Sequence, residues 1–124
     1  MIKIFCYPKC TTCKKAEKYL IDKNINYEYI NIRENTPSSE DLRRYIKLYN
    51  KDIKSFFNTS GLLYKDLKLK DKLLYMTDEE KINILSSNGM LIKRPLLIMH
   101  NKVLVGFNEK EWEEVFSEKF KNIN

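Results

Sequence analysis

Cys10-Thr11-Thr12-Cys13 is the segment of this sequence whose residue types and spacing could do chemistry. Two thiols separated by two residues can close a disulfide and reopen it, exchanging two electrons with a partner. The segment follows a strand-like run and opens a helix-like one. A thiolate at that junction faces unpaired backbone N–H groups and the positive end of the helix dipole, which stabilise its charge. Lys9, Lys14 and Lys15 add positive potential. Cys10 is therefore expected to be the exposed nucleophile. Cys13, one turn deeper on the face of Ala16 and Leu20, is expected to be the sheltered thiol that resolves a mixed disulfide. Cys6 is read as a core residue at the end of the strand, with a third redox thiol as the alternative.

Two metal readings compete for the same cysteines. Cys6, Cys10 and Cys13 match the C-x3-C-x2-C spacing of radical S-adenosylmethionine enzymes, in which three thiolates hold an iron–sulfur cluster. Cys6 ends a strand, however, Thr12 is not aromatic, and 124 residues are too few for the barrel those enzymes need. A zinc site lacks a fourth ligand, because the single histidine, His100, falls in a predicted hairpin turn. No metal is expected. The second feature with chemical content is Arg94-Pro95. Pro95 is expected to open the strand facing the Cys10 loop, where a cis peptide would expose backbone groups to an extended substrate. Arg94, with a planar and permanently charged head, would hold an anion or stabilise the Cys10 thiolate. An ordinary surface salt bridge is the bland alternative for Arg94.

The elements that must position these residues are legible in the pattern of the chain. Ile2 to Cys6 alternates apolar and polar and reads as a strand; from Thr11, Cys13, Ala16 and Leu20 recur at helical spacing. Asn26 to Asn31 alternates again, completing a β-α-β unit with a parallel strand pair. After Pro37, residues 38 to about 90 read as helical throughout: a helix with Leu42, Tyr45, Ile46 and Tyr49 inward, a turn at Asn58 to Gly61, a short helical piece over Leu62 to Leu69, and a capping box at Thr77-Asp78-Glu79-Glu80. Leu96 to Met99 and Lys102 to Val105 read as a hairpin, and Asn108 caps a last helix carrying Trp112, Val115 and Phe116.

Composition bounds the rest. At 124 residues, 43% of them hydrophobic, the chain is expected to fold as one domain over residues 1–124 without disulfide staples. No apolar run reaches the roughly 20 residues of a membrane span, and the residues before and within the first strand do not read as a signal peptide, so none is expected. A cytoplasmic, reducing location follows, in which cysteines serve catalysis more often than structure. The net charge is +6, with 23 basic against 17 acidic residues. The basic residues are interleaved with acidic ones, so the charge reads as a solvated surface, with an acidic partner as the alternative; direct DNA binding is not expected.

The residues Cys10 to Ala16, the helical middle, Leu91 to Leu96 with Arg94-Pro95, and Val105-Gly106-Phe107-Asn108 together resemble the arsenate reductase/Spx family over roughly residues 1 to 117. Phe56 to Gly61 and Gly89 to Pro95 look most like a less characterised branch of reductase-like proteins within it. The resemblance implies an α/β, thioredoxin-like fold: β-α-β, a helical insertion over about 38–90, then β-β-α, with a mixed central sheet flanked by helices. It implies a thiol–disulfide oxidoreductase in which Cys10, Cys13 and Arg94 act and in which substrate meets Thr11, Thr12, Asn58 and Pro95. No resident cofactor is implied, and an external thiol such as glutathione or thioredoxin would regenerate the pair. Substrate would be a thiol or disulfide protein or small molecule.

Arsenate reductases of this type hold their oxyanion with three arginines, which match Asn58, Arg94 and Phe107 here, so one of the three remains. Spx regulators use a C-x-x-C pair as a redox switch and bind the C-terminal domain of the RNA polymerase α subunit. That contact depends on a glycine near the end of the helix after the second strand, and Leu48 to Ile53 contains none.

Overall fold

In a computed structural model, residues 1–123 are described, with side chains through Ser117. Strand β1 (Ile2–Cys6) leads through a four-residue loop into helix α1 (Thr11–Asp22), which crosses over to strand β2 (Tyr27–Asn31). The two strands are parallel, with Ile2 opposite Tyr27 and Cys6 opposite Asn31. Strand β3 (Leu96–Ile98) lies antiparallel on the other side of β1, and β4 (Val103–Val105) pairs antiparallel with β3. The Met99 N–H donates to the Lys102 carbonyl at 2.8 Å where the hairpin turns. The sheet order is β2-β1-β3-β4, mixed as expected.

The two-residue period of a strand assigns each residue to one of two cores. Ile2, Ile4 and Cys6 of β1, with Leu97, Met99 and Leu104, pack against Cys13, Ala16, Tyr19 and Leu20 of α1 and against Trp112 and Phe116. Those two aromatics belong to helix α6 (Glu109–Ile123), whose first turn is capped by the Asn108 side chain accepting from the Glu111 N–H at 3.0 Å. Phe5, Leu96 and Val103 face the other way, into a core built with the insertion.

The insertion contains helices α2 (Ser39–Tyr49), α3 (Leu62–Asp66), α4 (Leu69–Lys72) and α5 (Asp78–Ser87), linked by 3-10 turns. Ser38 caps α2 by accepting from the Asp41 N–H, and both hydrogen bonds of the capping box join Thr77 and Glu80 at the start of α5. The reading of residues 38 to 90 as helical throughout needs correction at two places. Lys68 takes a left-handed conformation, φ 54°, and splits the expected Leu62–Leu69 piece into α3 and α4. Each of these helices is too short for periodicity to mark its ends. Phe57 and Ile92 form an antiparallel bridge, a strand-like pairing too brief to show as alternation. Among the described residues no helix is long and apolar enough to cross a membrane.

Gly89 locks the insertion to the sheet. A Cβ added there would lie 2.0 Å from the Ile32 carbonyl oxygen, just beyond the end of β2, and 2.7 Å from its carbon. Backbone cannot yield as a side chain does, so the α5 end or the β2 end must move. Gly89→Ala is expected to lower stability by about 2 kcal/mol or more, read as a lower urea midpoint with unchanged slope. An unchanged midpoint would show that the two segments are not held in register by this contact.

Candidate active site

Cys10 occupies the N-cap position of α1 with an extended backbone, φ −88° and ψ 114°. Its N–H donates to the Tyr7 carbonyl at 2.9 Å, closing the β1–α1 loop, and its carbonyl accepts from the Lys14 N–H at 3.2 Å, starting the helix. No side chain caps the helix, so the Cys10 sulfur stands where a capping group would face the free N–H groups of the first turn. Cys10 is half-buried, whereas Cys13 is 1% exposed and Cys6 is fully covered. All three are free thiols. The sheltered position expected for Cys13 is present, and Cys10 is the more accessible of the two though itself half-buried.

The strongest stabilisation of a thiolate falls on Cys13, whose pKa is lowered to about 7. The chief cause is a hydrogen bond from the Cys6 thiol; the Tyr7 backbone N–H, the Cys10 thiol and the charge of Arg94 act in the same direction, and burial opposes them. Cys6 is correspondingly pushed up, first by that same hydrogen bond to Cys13 and then by burial. The Cys6 donor comes from the neighbouring strand, placed there because Ile4 and Cys6 point to the α1 face of the sheet.

The facing wall comes from two segments distant in sequence. The Asn58 N–H donates to the Leu91 carbonyl and the Lys93 N–H to the Phe56 carbonyl, both at 2.8 Å. This short ladder sets Asn58 beside Arg94. The Arg94–Pro95 bond is cis, the arrangement anticipated from the fold. The Pro95 carbonyl accepts from the Gly106 N–H at 2.8 Å, and Gly106 has φ 76°, a left-handed conformation that favours glycine. The Gly106 carbonyl in turn accepts from the buried Trp112 indole N–H at 3.2 Å.

These walls enclose a cleft of about 700 Å³ that includes Cys10, Thr12, Asn58, Arg94 and Phe107. All three positions matched to oxyanion-holding arginines thus reach the same cleft, and Arg94 is the cation among them. Phe107 also stacks edge-on against Trp112 at 4.8 Å between ring centroids, so this position serves packing as well as lining. Lys93 brings a second positive charge and Glu111 a negative one. Of the other expected contacts, Thr11 is exposed and Pro95 is buried, and neither lines the cleft. Sequence reasoning did not single out Tyr7, whose backbone N–H serves Cys13 and whose ring lies 5.9 Å from the Arg94 guanidinium carbon. Its place between Cys6 and Cys10 was the available signal. Among the described residues no three His, Cys, Asp or Glu side chains are grouped to hold a metal ion.

A β-α-β, helical insertion, β-β-α order with a C-x-x-C pair at the mouth of the first helix defines a thioredoxin-like protein of arsenate-reductase architecture. The ArsC family pattern matches residues 5–115, and the chain belongs to the ArsC family. The protein YusI of Bacillus subtilis is 45% identical over 113 residues, 91% of this chain and 96% of YusI. The structure of an ArsC family related protein from Bacteroides fragilis is 48% identical and superposes with a TM-score of 0.89, covering 91% of this chain and 95% of that one. The global transcriptional regulator Spx of Streptococcus pyogenes is 24% identical over 111 residues, 90% of this chain and 81% of Spx.

Because Cys6 supplies the leading hydrogen bond to Cys13, Cys6→Ala is expected to move the thiolate transition that begins near pH 7 upward. Thiolate absorbance at 240 nm against pH, in wild type and variant, reads the shift. A transition that stays in place would assign the stabilisation of Cys13 to Tyr7, Cys10 and Arg94 without Cys6.

Proposed function

We propose that this chain is a thiol–disulfide oxidoreductase working in a reducing compartment, with Cys10 as nucleophile, Cys13 as resolving thiol and Arg94 as the fixed positive charge beside them. The observation that carries the reading is the stacking of three thiols: Cys10 reaches the cleft, Cys13 lies behind it, and Cys6 hydrogen-bonds to Cys13 from below. A covered Cys13 cannot meet a bulky substrate, but it is in hydrogen-bond contact with Cys10. When Cys13 is ionised, passing the Cys10 proton across that contact creates the Cys10 thiolate without a charge having to cross the interior.

The reaction balances as two exchanges. The Cys10 thiolate attacks one sulfur of a substrate disulfide, forming a mixed disulfide and releasing the other half as a thiolate. Cys13 gives its proton to the thiolate released in the first exchange, and its own thiolate attacks the Cys10 sulfur, closing the Cys10–Cys13 disulfide and releasing the second half as a thiolate. Substrate gains two electrons and the cysteine pair loses two. An external thiol, glutathione or a thioredoxin-type dithiol, restores the pair.

Oxidised wild type is expected to show a Cys10–Cys13 linkage by peptide mass mapping. Cys13→Ser should accumulate the mixed disulfide on Cys10, and Cys10→Ser should fall to background turnover. A stable glutathione adduct on Cys10 in the wild type, with no internal disulfide, would replace this scheme by a single-thiol mechanism. The attacking form is the deprotonated one, so the rate of mixed-disulfide formation should rise with pH to about 7 and flatten above it. A rate still climbing in proportion to hydroxide at pH 9 would sink the proposed proton path.

A second reading has support in the similarity to Spx: a redox-sensing regulator with the same pair as its switch and the RNA polymerase α subunit as partner. The stretch Leu48 to Ile53, which carries no glycine, weighs against it. A complex with the C-terminal domain of that subunit, captured in either redox state, would move the chain to this reading. Reduction of arsenate is the reading least supported, since Asn58 and Phe107 supply no charge at positions where the resemblance implies arginine.

A further inference from the structure

Two arginines meet around one tyrosine at the edge of the cleft. Arg33, just beyond the end of β2, donates from Nη1 to the Tyr7 hydroxyl at 3.4 Å, and the Arg94 guanidinium carbon lies 5.9 Å from the centre of the same ring. Both arginines line a second cavity of about 570 Å³, with Thr36, Asn58 and Asn88 as further polar groups. No Asp or Glu lines this cavity, and neither arginine forms a salt bridge among the described residues. Arg94 is held by long contacts from Nη1 to the carbonyls of Met90, 3.5 Å, and Ile92, 3.3 Å. Its Nε is buried without any hydrogen-bond partner. A guanidinium in that condition gains more from an incoming anion than one already paired.

The second cavity adjoins the first. Asn58, Gly61, Leu62 and Arg94 line both, so Cys10 and Arg33 stand at neighbouring openings on either side of these residues. Leu62 stands on the shared stretch with 80% of its surface exposed, an apolar contact offered to whatever lies there. An inorganic oxyanion would fill only a small part of the two cavities. A peptide would fill them: sulfur at Cys10, main chain along the Asn58 and Asn88 amides, an apolar group on Leu62, and a negative end between the arginines.

We propose that the cavity between Arg33 and Arg94 is a carboxylate-binding subsite, which selects disulfide-bearing peptides carrying an acidic group near the reactive cysteine. The proposal rests on the oxidoreductase reading and names the substrate class of the same site. Arg33 is its specificity-determining residue, because the other cation, Arg94, also serves the thiols.

The test uses the symmetric disulfide of acetyl-Cys-Gly-Glu and the same disulfide with every carboxyl amidated. Binding is measured first, to the full-length Cys10→Ser variant, which cannot form the mixed disulfide, by following the side-chain Nε–H signals of the arginines. The acidic peptide is expected to bind about fivefold tighter or more than the amide and to move the Arg33 and Arg94 signals. Arg33→Gln should bring the ratio of the two affinities close to one, and Arg33→Lys should restore part of it. Equal affinities in the presence of Arg33, or displacement of the peptide by inorganic phosphate at lower concentration than the amide requires, would overturn the subsite. Turnover of both disulfides by the wild type is measured second. Acid-selective binding without turnover would leave the subsite standing and sink the oxidoreductase reading; turnover without preference for the acidic peptide would do the reverse.

Discussion

The site depends on Cys6 and Cys13 being buried against each other beneath Cys10. Cys6 resists ionisation first because its thiol proton is held in the hydrogen bond to Cys13, and then because nothing in the enclosure replaces the water that would solvate its charge. Cys13 lies in the same enclosure and moves the opposite way, since it receives hydrogen bonds from Cys6, Cys10 and the Tyr7 backbone. That arrangement needs α1 to sit close on β1. Fully buried Ala16, one turn beyond Cys13, permits the approach, and Leu20 fills the space further on. The strand period and the helix period must agree for the donor and acceptor to meet. Cys6 is on the correct face because Ile2 and Ile4 are, and Cys13 because Ala16 and Leu20 are.

The insertion then supplies what the β-α-β and β-β-α halves lack, a second wall. Its course is irregular where it matters, since the backbone pairing of residues 56–58 with 91–93 carries Asn58 to Arg94. Behind that wall the Gly106 backbone is fixed from both sides, by Pro95 and by the Trp112 indole, while Tyr19, Phe107, Trp112 and Phe116 form one aromatic group joining α1 to α6. The cleft-lining Phe107 is thereby packed directly against α6. Tyr19 adds a 2.6 Å hydrogen bond from its hydroxyl to the Glu113 carboxylate, so the aromatic contact has a fixed orientation.

The strands, α1, α2, the α5 capping box and the last helix were legible because each carries its own signal: alternation in β1, a face of Cys13, Ala16 and Leu20, a Thr-x-x-Glu start, an Asn cap. The pair Cys10 and Cys13 was legible for the same reason. What escaped depends on partners far apart in sequence. The break at Lys68 is a single left-handed residue without a Gly or Asn to announce it. The bridge of Phe57 with Ile92 is one residue long on each side. Above all, the lowered pKa of Cys13 could not be read from the helix terminus alone, because its chief cause is a donor on the adjacent strand. The Arg33 and Tyr7 contact joins residues 26 positions apart and leaves no pattern in either segment.

The same geometry supports the proposal of disulfide exchange over oxyanion chemistry. Holding a multiply charged oxyanion requires fixed donors aimed at it, and a charge-assisted hydrogen bond contributes about 1.5–3 kcal/mol. At two of the three matched positions the cleft presents an amide, Asn58, and a packed ring, Phe107. Their combined loss is on the order of 3–6 kcal/mol, a factor of a hundred or more in affinity. Exchange between a thiolate and a disulfide makes no such demand, for one negative charge enters each step and one leaves, passing between sulfurs. Its requirements are an accessible sulfur, a second sulfur within reach, and a proton path between them. Those are met by Cys10, by Cys13 and by the hydrogen bond that joins them.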